Sequence, residues 1–156
     1  MHRALGGGHA ECARFLLENG ADPNKADALK RTPLHWASMG PPPDNVECCT
    51  LVFEKGDGPA MLLKETKSGS TPLHSAAGTN RPDVVRFLVE KQADQTLKDE
   101  DGLTPFELAK KDGFTEIVQI LKPSGTAARA SSGGGGGGGD GGDGGGGGGG
   151  GCCLLQ

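Results

Sequence analysis

Cysteine and histidine are the residues of this chain that could bind a metal ion or act as nucleophiles. A zinc site needs paired ligands at short, regular spacings, and the sequence offers none: Cys12 stands alone, and Cys48 and Cys49 are adjacent. The glycine run at 133–151 contains no Lys-Ser/Thr pair for a phosphate-binding loop, and there is no nucleophile elbow. We therefore predict no enzyme activity, no cofactor, no small-molecule substrate and no metal site.

The end of the sequence could carry a lipid. Residues 153–156 read Cys-Leu-Leu-Gln, which fits the Cys-aliphatic-aliphatic-X prenylation box, and Gln in the last place favours farnesyl. One prenyl chain binds a membrane only marginally, so the neighbouring Cys152 is a candidate for a second, palmitoyl chain. The pattern predicts farnesylation of Cys153 and a location on the cytoplasmic face of a membrane. The alternative is a chance ending on an inert tail, with the protein free in the cytoplasm.

A repeated tetrapeptide predicts where the helices of this chain begin. Thr-Pro-Leu-His occurs at 32–35 and 71–74, and a third copy, Thr-Pro-Phe-Glu, follows at 104–107. Thr is a good N-cap and Pro suits the first helical position, so each copy begins a helix. Thr104 and Glu107 also have the spacing of a capping box. A helix start that recurs at a period of 33 residues predicts a stacked helical repeat.

The chain resembles the ankyrin-repeat family, whose units carry Thr-Pro-Leu-His-x-Ala near their start. The resemblance covers about residues 1–122 and implies an all-α solenoid of about three and a half repeats with β-hairpin fingers. We assign the repeats to 1–26, 27–65, 66–98 and 99–122, the last as a C-terminal cap. A disordered Gly-rich linker is expected at 123–151, because 17 of the 19 residues at 133–151 are glycine, and the candidate lipidation box follows at 152–156.

Charge and hydropathy exclude several kinds of partner. The net charge is −4 and no Lys/Arg cluster occurs, so neither nucleic acid nor an anionic lipid surface is a predicted partner. No apolar run reaches the ~20 residues of a membrane-spanning helix, and no signal peptide is apparent. We expect an intracellular monomer that binds another protein.

Registering the repeats on their second helices assigns most of the Cys and His residues to structure. Cys12, Cys48 and Cys49 fall in columns that hold Val, Ile or Ala in other repeats, which predicts buried thiols. His35 and His74 occupy the same position in successive repeats, which predicts a turn-bracing role. Phe15 looks interior-like, yet the sequence begins at the equivalent of Leu34 and leaves it without a preceding unit. Either the first repeat is truncated, which is the interpretation we favour, or its first half is frayed or covered by a partner.

The second repeat is six residues longer than the period. Three extra residues fall in the turn at 39–45, and three fall in the inter-repeat loop at 56–64. That loop carries an unusual apolar run, Met61, Leu62 and Leu63. Either the run folds back and is buried, or it is an exposed anchor for a partner.

The resemblance implies partner binding through finger tips and first helices. Matched onto this chain, the predicted positions are Ala28, Leu29, Arg31 and Met39, then Lys67, Ser68, Ser70 and Thr79, and finally Glu100, Asp101, Leu103 and Lys111. The insertion adds Met61, Leu62 and Leu63. Trp36 could be a binding hot spot, but its place in the first helix favours packing within the fold.

Overall fold

Short helices arranged in pairs make up the chain in the computed structural model, which describes residues 1–43 and 45–122. The pairs are α1 (His2–Gly6) with α2 (Ala10–Glu18), α3 (Pro33–Met39) with α4 (Asn45–Lys55), α6 (Pro72–Gly78) with α7 (Pro82–Glu90), and α8 (Pro105–Lys111) with α9 (Thr115–Ile120). A one-turn helix, α5 (Gly58–Leu62), lies between the second and third pairs. Within the described ranges no residue lies in a strand. The predicted all-α repeat class is confirmed.

Each Thr-Pro motif begins a helix as predicted. Thr71 is extended and precedes α6; its hydroxyl accepts a hydrogen bond from the His74 N–H, and His74 Nδ1 accepts one from the Thr71 N–H at 3.2 Å. The same capping box starts α3 and α8, with Glu107 in place of histidine in α8. Because two orphan donors of the first turn find partners, these seven-residue helices begin at defined positions.

The pairs stack into two rows. Helix α3 packs against α1 on one side and α6 on the other, and α6 packs in turn against α8, so these four form an inner row. Helices α2, α4, α7 and α9 form the outer row, each in contact with the next. Every unit therefore buries its apolar face against its neighbours, which is the packing that a solenoid requires.

The core lies between the rows and contains most of the predicted columns. Cys48, Val84 and Ile117 are fully buried, and so are Ala13, Cys49 and Val85 in the next column. On the outer row Phe53 and Phe87 meet edge to face, with ring centroids 6.0 Å apart. Burying about 20 such apolar side chains is the main stabilising contribution of the stack.

Cys12 corrects the prediction for its column. It was expected to be buried, yet it is exposed, and Phe15 on the same helix is 65% exposed. Their counterparts in later repeats lie on outer helices that each pack against a preceding one, α4 against α2, α7 against α4 and α9 against α7. Among the described residues no helix lies on that side of α2, so the column remains open to solvent there.

The structure of the insertion decides between the two alternatives for its apolar run. Met61 and Leu62 are 2% and 5% exposed, because α5 turns them inward against α4 and α6. Leu63 follows the helix and is 58% exposed. Met61 and Leu62 therefore belong to the core and cannot act as exposed anchors, whereas Leu63 is available at the surface.

The inter-repeat loops share one turn geometry. In the loop at 27–31 the Asp27 N–H donates to the Arg31 carbonyl at 2.9 Å, and the loops at 66–70 and 99–103 contain the same bond. Lys67 N–H donates to Leu29 O, and Glu100 N–H donates to Ser68 O, which joins successive loops. The predicted β-hairpin fingers are not confirmed as strand pairs, because each loop is closed by a tight turn alone.

The remaining predictions on fold concern the membrane and the tail. No helix in residues 1–43 and 45–122 has the length and apolar character needed to span a bilayer. The expected linker at 123–151 and the lipidation box at 152–156 lie outside the described residues, so both stay predictions.

Candidate binding groove

The histidine column fixes each loop relative to the helices. His35 Nε2 lies 3.1 Å from the carbonyl oxygen of Ser70, and His74 Nε2 lies 3.1 Å from that of Leu103. In each case the imidazole belongs to one repeat and the carbonyl to the loop that leads into the next inner helix. The predicted turn-bracing role of both histidines is confirmed, and it extends to bridging adjacent repeats.

These contacts define the protonation state of the bridge. His35 Nδ1 accepts a hydrogen bond from the Thr32 N–H at 3.1 Å, so the ring proton must sit on Nε2, where it is donated to Ser70 O. Burial lowers the pKa of His35 to about 4, although the Ser70 carbonyl acts in the opposite direction. Burial also lowers the pKa of His74. Both imidazoles are therefore neutral near pH 7 and serve as structural links.

A side-chain acceptor at the first position organises each loop. Asp27 Oδ1 accepts from the N–H groups of Leu29 and Arg31 at 2.8 and 3.0 Å. Thr66 Oγ1 does the same for residues 68 and 70, and Asp99 Oδ1 for residues 101 and 103. Asp27, Thr66 and Asp99 are equivalent positions in the aligned repeats. Their shared side-chain acceptor could have been predicted from the sequence, although the Thr-Pro motif does not reveal it.

Asp27 also positions a cation. Its Oδ2 accepts from Arg31 Nε at 2.8 Å and from Trp36 Nε1 at 3.1 Å, and the Arg31 guanidinium lies 4.2 Å from the Trp36 ring centroid. Burial by itself would raise the pKa of Asp27, but the hydrogen bonds from Arg31, Leu29 and Trp36 outweigh it and lower that pKa to about 2. Trp36 is half-buried and packs against the core, in line with the packing role favoured for it.

The first two loops and the inner helices beside them enclose a groove of about 340 Å³. We call it the inter-loop groove. Its lining residues are Leu29, Arg31, Met39, Thr66, Lys67, Ser68, Ser70 and Ser75. Six of these were predicted as partner-binding residues, and Thr66 and Ser75 were not. Leu29 is 48% exposed at its rim and adds an apolar side chain to a mainly polar lining.

The other predicted partner-binding residues lie elsewhere. Ala28 is exposed beside Leu29 at the tip of the first loop, whereas Thr79 is half-buried at the end of α6 with its hydroxyl donated to Ser75 O. The fourth-repeat positions lie along the next loop and α8, where Leu103 is half-buried and Glu100, Asp101 and Lys111 are exposed. Leu63 does not contribute to the groove lining.

A second recess, of about 540 Å³, lies beside the last helix pair. It is lined by Gln95, Thr96, Thr104, Phe106, Leu121 and Lys122. None of these was predicted as a partner-binding residue, and Thr104 was predicted only as a helix cap. The recess adjoins the end of the described chain.

The described residues hold no cluster of three or more His, Cys, Asp or Glu side chains that could bind a metal ion. Cys49 is buried, which raises the pKa of its thiol to about 12. A thiol of that kind is a poor nucleophile at neutral pH.

Comparison with known families accounts for both halves of the stack. A family model described as ankyrin repeats (many copies) matches residues 1–52, and another with the same description matches residues 56–109. The two matches meet within the lengthened second repeat.

Similar proteins differ widely in size and kind. A putative ankyrin repeat protein of fowlpox virus, FPV223, is 31% identical over 125 residues, which cover 77% of this chain and 79% of that protein. The E3 ubiquitin-protein ligase Ufd4 of Drosophila melanogaster is 36% identical over 120 residues. A Caenorhabditis elegans homolog of the transient receptor potential cation channel subfamily A member 1 is 26% identical over 119 residues. This chain spans only 4% and 9% of those last two proteins.

Proposed function

This chain belongs to the ankyrin-repeat family, and from that premise we propose that it binds another folded protein through the inter-loop groove. Ankyrin repeats generally mediate protein–protein interaction and are typically non-enzymatic. The observation that carries the proposal is the convergence of six predicted contact residues on one groove with an exposed Leu29 at its rim. A rigid groove with an apolar rim and polar walls suits a protein partner.

The contact surface extends from the groove along the loops. We include Leu29, Arg31, Met39, Lys67, Ser68 and Ser70 as its centre, with Ala28 and Thr79 beside it. The loop of the fourth repeat and α8 would contribute Glu100, Asp101, Leu103 and Lys111. The hydrogen bonds that join the loops, from Lys67 to Leu29 and from Glu100 to Ser68, support one continuous surface. Because the loops are fixed before binding, little conformational entropy is lost on association.

Quantitative affinity capture from cells tests this function. The full chain is compared with a Leu29→Ser/Lys67→Glu double variant and with Phe15→Ser as the matched control, because Phe15 is an exposed apolar side chain on the outer helix α2. We expect one or more proteins to be captured by the wild type and by Phe15→Ser but lost, by about tenfold or more, with the double variant. Equal capture by all three would contradict the proposal.

Lipid anchoring is a second part of the proposal. Cys153 in the prenylation box would carry a farnesyl group, with Cys152 as a palmitoylation site, and the glycine-rich segment would provide a tether of about 30 Å average reach. The chain would then be an adaptor on the cytoplasmic face of a membrane. The intact mass of the C-terminal peptide from a eukaryotic cell tests it. Farnesyl on Cys153 with loss of residues 154–156 is expected, and an unmodified peptide ending in Gln156 would refute it.

The alternative is a regulator that blocks an enzyme or transcription factor without a lipid anchor. It uses the same groove, and it is favoured if the C-terminal peptide is unmodified while the Leu29→Ser/Lys67→Glu variant still loses its partner. We propose a monomer in either case, which sedimentation of the purified chain can test.

A further inference from the structure

We propose that the inter-loop groove recognises a partner segment in which an aspartate or glutamate side chain lies next to an apolar one. This inference rests on the proposed function, because it specifies the chemistry of the partner at the same groove. It is carried by four features of the lining: a positioned guanidinium, a cluster of hydroxyl groups, the balance of charge, and two apolar side chains.

Arg31 is a cation whose position is set before any partner arrives. Its Nε is donated to Asp27, and its planar face lies 4.2 Å from the Trp36 ring centroid. The two terminal nitrogens have no protein acceptor within residues 1–43 and 45–122 and are free to donate. A guanidinium donates two parallel hydrogen bonds to a carboxylate, and a fixed one loses less side-chain entropy in doing so.

The hydroxyl groups across the groove are the second feature. Thr66 Oγ1 accepts two backbone N–H groups, at 3.3 and 3.2 Å, so its own proton must be donated to Ser68 Oγ at 2.9 Å. Ser68 Oγ lies 3.4 Å from Ser70 Oγ, and either hydroxyl can be the donor of that pair. The groove wall therefore carries two serine hydroxyl groups, at Ser68 and Ser70, that can donate to an acceptor on the partner.

Charge balance favours a carboxylate over a phosphate group. The lining contains Arg31 and Lys67 and, among the described residues, no Asp or Glu side chain. Asp27 offsets one of the two positive charges through its ion pair with Arg31. The net charge of about +1 matches a carboxylate, whereas a phosphorylated side chain would bring a charge of about −2.

An apolar neighbour of the acidic side chain would complete the fit. Leu29 and Met39 line the same groove as the cations, and Leu29 is half-exposed. Burying these two side chains requires an apolar group on the partner, because a polar group placed there would lose its hydrogen bonds to water.

The test begins with a random dodecapeptide library displayed on phage and selected against the full chain. We expect the enriched peptides to share an Asp or Glu beside Leu, Ile, Met or Phe. Synthetic versions are then measured by fluorescence polarisation against the wild type and four variants: Arg31→Gln, Lys67→Glu, Leu29→Ser and, as the control on the outer helix, Arg86→Gln. Replacing the acid by its amide is expected to weaken Kd by roughly tenfold or more.

The variants test whether Arg31 and Lys67 are the groups that bind the carboxylate. Arg31→Gln should weaken the acidic peptide about tenfold and leave the amide peptide nearly unchanged, and Arg86→Gln should change neither. Lys67→Glu provides a second readout that is independent of the Asp27–Arg31–Trp36 packing, because Lys67 is exposed. Loss of the acid preference in both variants supports the proposal.

Three results would overturn it. They are groove-dependent peptides whose amide forms bind equally well, a phosphoserine version that binds more tightly than the Glu version, and a selection that yields no groove-dependent peptide. In each case the capture experiment still decides the proposed function separately, since a partner lost with Leu29→Ser/Lys67→Glu would bind the groove through other chemistry.

Discussion

At the scale of single residues, the bridging histidines couple stability to pH. His35 is buried with its Nδ1 facing the Thr32 N–H, so adding a proton there would place two donors against each other. The unfolded chain has no such restriction and takes up protons near pH 6.5. Between pH 6.5 and about 4 the unfolded state therefore binds more protons than the native state, and the free energy of unfolding falls as the pH falls.

We expect the free energy of unfolding, measured with urea, to decrease from pH 7.5 to pH 5, with a slope from His35 of at most about 1.4 kcal/mol per pH unit. His74 acts in the same direction. Asp27 and Glu107 have lowered pKa values, so their contributions are lost as the pH falls below the ordinary carboxyl pKa values of 3.8 and 4.5, which lie below this window.

The control for this prediction is His35→Gln, which can keep a hydrogen bond to the Ser70 carbonyl but does not titrate. Its stability is expected to be lower at pH 7.5 and to depend less on pH than that of the wild type. A wild-type unfolding midpoint that stays constant from pH 7.5 to pH 5 would contradict the neutral-bridge assignment.

At the scale of elements, the three inter-repeat loops use one backbone conformation with different residues. Lys30, Gly69 and Gly102 occupy the same place, with φ of 60, 68 and 73°. This left-handed region costs a residue with a Cβ about 1–2 kcal/mol, which glycine avoids. Lys30 is therefore the strained member of the set, and it lies in the loop that carries Leu29 and Arg31.

We predict that Lys30→Gly raises the free energy of unfolding by about 0.5–1 kcal/mol, because relief of strain exceeds the added entropy of the unfolded chain. Gly102→Ala is the matched control and should lower it by a similar amount; a Cβ there meets no atom within 4 Å, so only the backbone conformation changes. Thermal unfolding measures both. The same sign of change in the two variants would contradict a shared turn geometry.

The inserted helix α5 gives an element-scale contrast between neighbouring residues. Met61→Ala should destabilise the fold by about 2–5 kcal/mol, since it removes a side chain that is 2% exposed. Leu63→Ser, two residues later, should change the free energy of unfolding by no more than about 0.5 kcal/mol, because Leu63 is 58% exposed. Urea unfolding of both variants provides the measurement, and comparable losses would place Leu63 in the core.

The sequence predicts some features of these elements and not others. The Thr-Pro motif predicts the starts of α3, α6 and α8, because capping depends on residues three apart in the chain. The burial of Met61 could not be deduced, since the inserted loop has no counterpart in other repeats and its apolar run suited either of two positions. Cys12 was misassigned for a related reason: a column predicts burial only where a preceding outer helix covers it.

At the scale of the whole molecule, stacking the repeats forms one surface from successive loops. The inner helices and the histidine bridges place successive loops side by side, and outer-row pairs such as Arg86 with Glu116, 2.9 Å apart, connect neighbouring units on the other face. The resemblance predicted six of the eight residues that line the groove. Their grouping around a positioned Arg31 could not be predicted, because it depends on contacts between Asp27 and Trp36, nine positions apart in the chain.

Site-specific photo-crosslinking in cells tests the central claim most directly. A benzophenone amino acid is placed at position 29 in the groove rim and, in a separate chain, at position 15 on α2; both sites are exposed, so neither should disturb folding. The account predicts a discrete protein adduct from position 29 that Lys67→Glu abolishes, and no such adduct from position 15. The reverse pattern, with adducts from position 15 alone, would contradict binding through the inter-loop groove.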